Sequence, residues 1–94
     1  MDSVRSFRLD PDRICSRETL VPYLREMFAG NLPEDLSGNL DALADALSEL
    51  RDDTEVRISR SCMNKITENH YSWTVFRVLA DVSAGNPHLL LHFL

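Results

Sequence analysis

The 94-residue sequence lacks several features that assign a chain to a class at once. No apolar run approaches the roughly 18 residues that a membrane-spanning helix needs, so we expect no membrane association. The opening segment MDSVRSFRLD has no apolar core, which argues against a secretory signal, and we expect a cytoplasmic protein. Repeats, low-complexity tracts and recognisable linkers are missing too, so residues 1-94 are interpreted as a single domain.

Cysteine and histidine are too scarce to indicate a disulfide framework or a metal centre. Cys15 and Cys62 are the only cysteines, and without Cys-x-x-Cys spacing we interpret them as free, partly buried thiols. His88 and His92 fall in a predicted strand, where four residues span roughly 13 Å. One ion cannot bridge that distance, so we expect no metal and no other cofactor.

Signatures of catalysis are also missing. The sequence has no Ser-His-Asp order with a nucleophile elbow and, with three glycines in all, no glycine-rich phosphate loop. Two neighbouring carboxylates, Asp41 and Asp45, can hold a divalent metal or act as an acid–base pair. Magnesium-dependent activity that is lost on mutation of Asp45 would favour that alternative. The preferred interpretation is that the protein is not an enzyme.

Negative charge is concentrated in one segment. The net charge is −5, and between Glu34 and Asp53 seven acidic residues accompany a single basic residue, Arg51. The remainder of the chain holds eight acidic and nine basic residues. Such a patch repels phosphate backbones and attracts basic surfaces, so we expect a basic protein partner and no direct contact with nucleic acid.

Periodicity predicts three strands. Apolar and polar residues alternate over 6–10 and 54–59, which is typical of strands with one buried face. The run 88–94 is nearly continuous in apolar residues, and we expect this third strand to be buried on both faces.

Helical spacing and capping residues predict four helices between those strands. We expect one after Ser16, one from 39 to 50, a short one over 61–69, and a long one capped by Ser72 that carries Trp73 and Phe76 in the core. Pro22 leaves open whether the first helix begins near Glu18 or is kinked. Strands joined by helical crossovers are normally parallel. The prediction is an α/β fold, a three-stranded parallel sheet with about four helices packed against it, in the order β-α-α-β-α-α-β.

The second predicted helix carries two aspartates one turn apart. Its stretch LSGNLDALADAL places Asp41 and Asp45 at i and i+4, where like charges destabilise a helix by about 0.2–0.5 kcal/mol. Leucines at 40, 43, 47 and 50 form one face, and Asp41, Asp45 and Glu49 fall on another. Taken alone, the acidic residues indicate a solvated helix face.

The run Asn39-Leu40-Asp41-Ala42-Leu43, followed by Asp45, resembles the barstar family of intracellular ribonuclease inhibitors. The order of elements agrees over nearly the whole chain. The resemblance implies a barstar-like fold whose second helix and preceding loop block the basic active site of a barnase-like ribonuclease. Carboxylates on that helix would pair with the cationic groups of the cleft. The partner-binding residues it implies are Asp41, Asp45, Asp35, Leu36, Ala44 and Glu49.

Departures from the family pattern favour a target other than barnase. Ala44 stands where the family has a tryptophan, Asp35 and Leu36 where it has tyrosines, and Val78 where it has an acid. We expect a monomeric inhibitor of an extracellular-type or toxin ribonuclease with a basic active site. Two alternatives stay open: an immunity protein that neutralises a different nuclease toxin, and an adaptor that binds basic proteins loosely.

Overall fold

The backbone forms a parallel sheet whose strands are joined through helices. The computed structural model describes residues 5–28 and 40–94. Its strands are β1 (Arg5–Arg8), β2 (Thr54–Ile58) and β3 (Leu89–Phe93), and its helices are α1 (Arg17–Met27), α2 (Leu40–Ser48), α3 (Arg60–Glu68) and α4 (His70–Gly85), with a 3-10 turn at Pro11–Arg13. The strand order is β1-β2-β3, parallel throughout. The predicted fold class and element order are confirmed.

Register separates the two faces of the sheet. Phe7, Val56 and Leu91 are aligned across the three strands and face the core, where Val56 is fully buried. The neighbouring positions point the other way because side chains alternate along a strand. We call this second surface the open face, and it consists of Ser6, Arg8, Glu55, Arg57, Leu90 and His92.

The core lies between the other face of the sheet and the helices. Helix α4 contacts α2, α3 and β3 and so lies at the centre of the helical layer. Each helix contributes apolar residues at helical spacing, which is the pattern that the sequence predicts. The largest fully buried side chains are Phe28, Ile14, Leu20, Met27, Leu43, Leu47, Ile58, Ile66, Leu79, Leu89, Val56 and Val75.

The prediction that the last strand is buried on both faces is wrong. Leu90 is 44% exposed. It belongs to the open face, which the described helices leave exposed on the central strand as well, at Arg57. Phe93, on the core side at the end of β3, is 57% exposed. An unbroken apolar run does not show whether both faces of a strand are covered.

The prediction that Ser72 caps the last helix and that Trp73 lies in the core is also wrong. Helix α4 begins at His70, and Asn69 caps it by accepting a hydrogen bond from the backbone N–H of Ser72 (2.9 Å). Ser72 is buried and donates its hydroxyl to the carbonyl of Ile14 (3.3 Å). This turns Trp73 outward, where it is 38% exposed and lies against the half-buried Phe76, with ring centroids 5.6 Å apart.

Helix α1 begins near Glu18, one of the two possibilities that Pro22 left open, and includes Pro22. It begins directly after Ser16 and continues past Pro22 to Met27. Proline removes one backbone hydrogen bond inside a helix, and here its ring is on the exposed side of α1.

Of the two free cysteines, Cys62 is buried and Cys15 is exposed, so the expectation of partly buried thiols holds for Cys62 alone. Burial raises the pKa of the Cys62 thiol.

Within the described ranges, every helix is too short or too polar to cross a membrane.

The hydroxyl of Tyr23 joins α1 to the end of β1. It accepts a hydrogen bond from the backbone N–H of Asp10 (2.8 Å) and donates one to the carbonyl of Arg8 (3.1 Å). The side chain is 8% exposed. Desolvation by burial raises the pKa of this phenol above its usual value of 10, because the neutral form is favoured in the folded protein.

We predict that Tyr23→Phe lowers the free energy of unfolding by about 1–2 kcal/mol, since two hydrogen bonds are lost at a buried position. Urea denaturation followed by circular dichroism measures the change. Tyr71→Phe is the matched control: the Tyr71 hydroxyl is buried and has no hydrogen-bond partner within the described part of the chain, so its removal should be neutral or slightly stabilising. Equal losses in the two variants would contradict the assignment of a structural role to the Tyr23 hydroxyl.

The raised pKa of Tyr23 implies that the stability of the protein depends on pH in the alkaline range. A pKa that is raised on folding stabilises the native state fully below the unfolded value of about 10, and that contribution is lost as the pH rises through the folded value. The wild type should therefore lose more stability than Tyr23→Phe between about pH 9 and pH 11. Parallel stability curves for the two proteins would show that Tyr23 does not titrate as described.

Candidate partner-binding surface

Helix α2 has one side in the core and the other in solvent. Leu43 and Leu47 are buried, Leu50 is buried just beyond the helix, and Leu40 is half-buried against the same cluster. The leucine face that the sequence predicts is therefore the side that holds α2 in place. Burial of each leucine side chain contributes about 1.5–3 kcal/mol, which is enough to fix which side of α2 faces out.

The outward side of α2 carries the carboxylates. Asp41, Asp45 and Glu49 are all exposed and follow one another at intervals of four residues, so Asp41 and Asp45 lie one turn apart, a rise of about 6 Å along the helix axis. We call these three residues the acidic surface. Glu49 lies in the turn that ends α2, where its backbone N–H donates to the carbonyl of Ala46 (3.3 Å).

Two charges of the acidic surface, those of Asp45 and Glu49, are not paired with cations among the described residues. The described residues include the ion pairs Arg13–Glu26, Arg57–Glu55 and Lys65–Asp12, and a close contact between His88 and Asp53. Neither Asp45 nor Glu49 takes part in an ion pair with another described residue. Arg51 follows in the next turn with Asp52 and Asp53, so acidic residues outnumber basic ones through the whole of residues 41–53.

The other predicted partner-binding residues are placed differently. Ala44 is half-buried and packs against the core cluster, so it lies at the border between the acidic surface and the interior. Asp35 and Leu36 lie outside the described residues. The structure thus brings Asp41, Asp45 and Glu49 together on one exposed surface, with Ala44 at its inner edge.

Sequence reasoning missed Asn86, which holds the end of α2. Asn86 is 6% exposed, and its amide nitrogen donates to three carbonyls, those of Leu47 (3.0 Å), Ser48 (3.3 Å) and Leu50 (3.2 Å). The last carbonyls of a helix have no partner within it, and Asn86 supplies one from the far end of α4.

The other end of the same amide fixes the start of β3. The side-chain oxygen of Asn86 accepts a hydrogen bond from the backbone N–H of His88 (3.0 Å). The imidazole of His88 in turn lies 2.8 Å from the Asp53 carboxylate, just before β2. The only signal in the sequence was the helix stop AGNP, which marks a turn but cannot show that the asparagine in it is buried.

The acidic surface is exposed and convex. Asp41 and Asp45 lie on the exposed side of α2 and Glu49 lies in the turn after it, whereas a catalytic pair needs a concave site with further groups around it. Among residues 5–28 and 40–94, no three His, Cys, Asp or Glu side chains gather to hold a metal ion. Exposed carboxylates on a fixed helix can form charge-assisted hydrogen bonds with guanidinium, ammonium and imidazolium groups.

No protein-family model matches the chain, and no curated protein matches its sequence at a significant level. The relationship to the barstar family therefore stays a prediction from the residues of α2 and the order of elements.

We predict that Asn86→Ala lowers the free energy of unfolding by about 2–3 kcal/mol, because buried carbonyls lose their donor. Asn86→Asp should be at least as destabilising at neutral pH, since it places negative oxygen atoms against the same carbonyls. Asn64→Ala, at an exposed position of α3, is the control and should stay within about 0.5 kcal/mol of the wild type. Urea denaturation of the four proteins checks this, and an Asn86→Ala protein as stable as the control would contradict the role given to Asn86.

Proposed function

We propose that this protein is an inhibitor of a ribonuclease with a basic active site, and that α2 is the element that blocks it. The observation that carries the proposal is the acidic surface: the exposed carboxylates of Asp41 and Asp45 on a helix whose opposite side is anchored in the core, with that of Glu49 in the turn that follows. The target class comes from the resemblance of residues 39–45 to the barstar family, and the order of the elements agrees with it.

The chemistry of such a target fits the acidic surface. A ribonuclease cleft uses Arg, Lys and His side chains to hold phosphate and to stabilise its transition state. Carboxylates spaced along a helix can pair with these groups, and the complex then excludes RNA from the cleft. Opposite charges on the two surfaces also accelerate the encounter, which matters for an inhibitor that must act before RNA is cut.

Anchoring of α2 supports inhibition over loose association. An exposed ion pair between mobile side chains contributes about 0–1 kcal/mol, whereas charged groups that are already positioned lose less freedom on binding. The leucines and Asn86 position α2 before any partner arrives. We propose that the protein acts stoichiometrically in the cytoplasm, as a monomer, without a cofactor and without catalytic activity of its own.

We predict that Asp45→Asn weakens binding to the target by about 2–5 kcal/mol, because it leaves a cationic group of the target buried without its partner. The inhibition constant should then rise on the order of 30-fold or more. The measurement is a fluorogenic RNA-cleavage assay in which the protein is titrated against barnase and a panel of related ribonucleases and nuclease toxins. Asp45 is exposed, so the variant should keep its stability within about 0.5 kcal/mol, which urea denaturation verifies.

Glu68→Gln is the matched control, since it removes one negative charge from the exposed end of α3 and should inhibit as the wild type does. Silencing of a nuclease toxin unrelated to barnase at one-to-one stoichiometry would identify an immunity protein. Equal weakening by both substitutions, with binding that falls steeply with salt, would indicate a loose adaptor. If a well-folded Asp45→Asn protein inhibited normally, the acidic surface would not be the inhibitory element.

A further inference from the structure

The open face of the sheet is a second surface with a distinct charge. Parallel sheets are normally covered on both faces, yet Ser6, Arg8, Arg57, Leu90 and His92 are exposed here. Arg8, Arg57 and His92 are aligned across the three strands. Because neighbouring strands lie about 4.8 Å apart, these side chains form a row about 10 Å long.

One cation of this row has no partner among residues 5–28 and 40–94. The guanidinium of Arg8 forms no ion pair and no hydrogen bond with any described residue, although the backbone carbonyl of Arg8 is bonded to Tyr23. Arg8 is exposed at the end of β1. Its charge is therefore one that no described residue neutralises.

The second cation already holds an anionic oxygen. Glu55 accepts hydrogen bonds from Nε of Arg57 (2.6 Å) and from the hydroxyl of Ser6 (3.1 Å) on the same oxygen, Oε1. These two bonds, with the charges of Arg57 and His92, hold the pKa of Glu55 below its usual value. Donors from two strands thus converge on one point above the open face, and a carboxylate of the chain itself occupies it.

A cavity lies beside that point. Its volume is about 490 Å³, and it is lined by Ser6, Phe7, Arg8, Arg57 and Leu94. Pockets for small ligands commonly measure about 300–1,000 Å³. The lining combines two guanidinium groups and a hydroxyl with apolar surface from the end of the chain.

The geometry points to a binding site for a small phosphate monoester, about the size of a mononucleotide, on the open face. Arg8 and Arg57 bind the phosphate, the hydroxyl of Ser6 donates to it, and Leu94 contacts the apolar part of the ligand. Two guanidinium groups match the double negative charge of the phosphate and its several acceptor oxygens, whereas the single carboxylate of Glu55 leaves Arg8 unused. The negative charge of the rest of the chain disfavours an extended polyanion such as RNA. This inference does not rest on the proposed inhibition.

Glu55 occupies the proposed phosphate position when no ligand is bound. It competes with the ligand for Arg57 and Ser6, so its carboxylate must move aside when phosphate binds. Glu55→Gln removes that competing charge and should tighten binding several-fold, whereas Arg8→Gln and Arg57→Gln should each weaken it about tenfold or more, through loss of a charge-assisted hydrogen bond. Tighter binding by Glu55→Gln together with weaker binding by Arg8→Gln and Arg57→Gln would indicate direct contact with the ligand, because a merely structural role would not give opposite effects.

The test is a titration of the 15N-labelled full chain, followed by amide chemical shifts, with adenosine 5′-monophosphate, inorganic phosphate and adenosine in parallel. We expect saturable shifts at residues of β1 and β2 with the monophosphate, weaker binding of inorganic phosphate, and none with adenosine. Equal affinities for adenosine 5′-monophosphate and inorganic phosphate would show that the site binds free phosphate and makes no use of the rest of the nucleotide.

Arg60→Gln, which removes a cation from the exposed start of α3, is the control and should bind as the wild type does. Arg8→Gln is the decisive variant, because the guanidinium has no partner among the described residues and its removal should leave the fold unaffected. If neither phosphate changes the amide chemical shifts of the open face, or if Arg8→Gln binds adenosine 5′-monophosphate as tightly as Arg60→Gln does, the inference is overturned.

Discussion

A single buried amide holds together three parts of this protein that lie far apart in sequence. Asn86 binds the last carbonyls of α2 and the first amide of β3 at once. Without a donor at that position, the end of α2 would leave buried acceptors unsatisfied. The placement of the acidic surface therefore depends on an uncharged residue about forty positions away, at the end of a different helix.

Hydrophobic periodicity was sufficient to predict the order of elements, because each element must bury one side to form at all. The leucines of α2 illustrate this: their spacing predicted both the helix and the side that faces inward. The alternation at Thr54–Ile58 predicted β2 in the same way. The spacing does not show which elements pack against each other, and the wrong predictions of burial arise from that missing information.

Those errors have a common physical origin. Trp73 was expected inside because it shares an apolar stripe with Leu79, yet the inward position is taken by Ser72, whose hydroxyl donates to the carbonyl of Ile14. The leucines of β3 were expected to be covered on both faces, yet Leu90 lies on the open face, which the described helices do not cover. Asn86 and Arg8 carry no local pattern, since their roles arise from residues distant in sequence.

The division of α2 into an anchored side and an outward side has a consequence for how such a protein can change over time. Substitutions at exposed positions of this side, such as Asp45, alter no buried contact, because the helix is held by its leucines and by Asn86. Folding therefore constrains such positions only weakly. A lineage can exchange these outward side chains step by step while the scaffold beneath them stays the same.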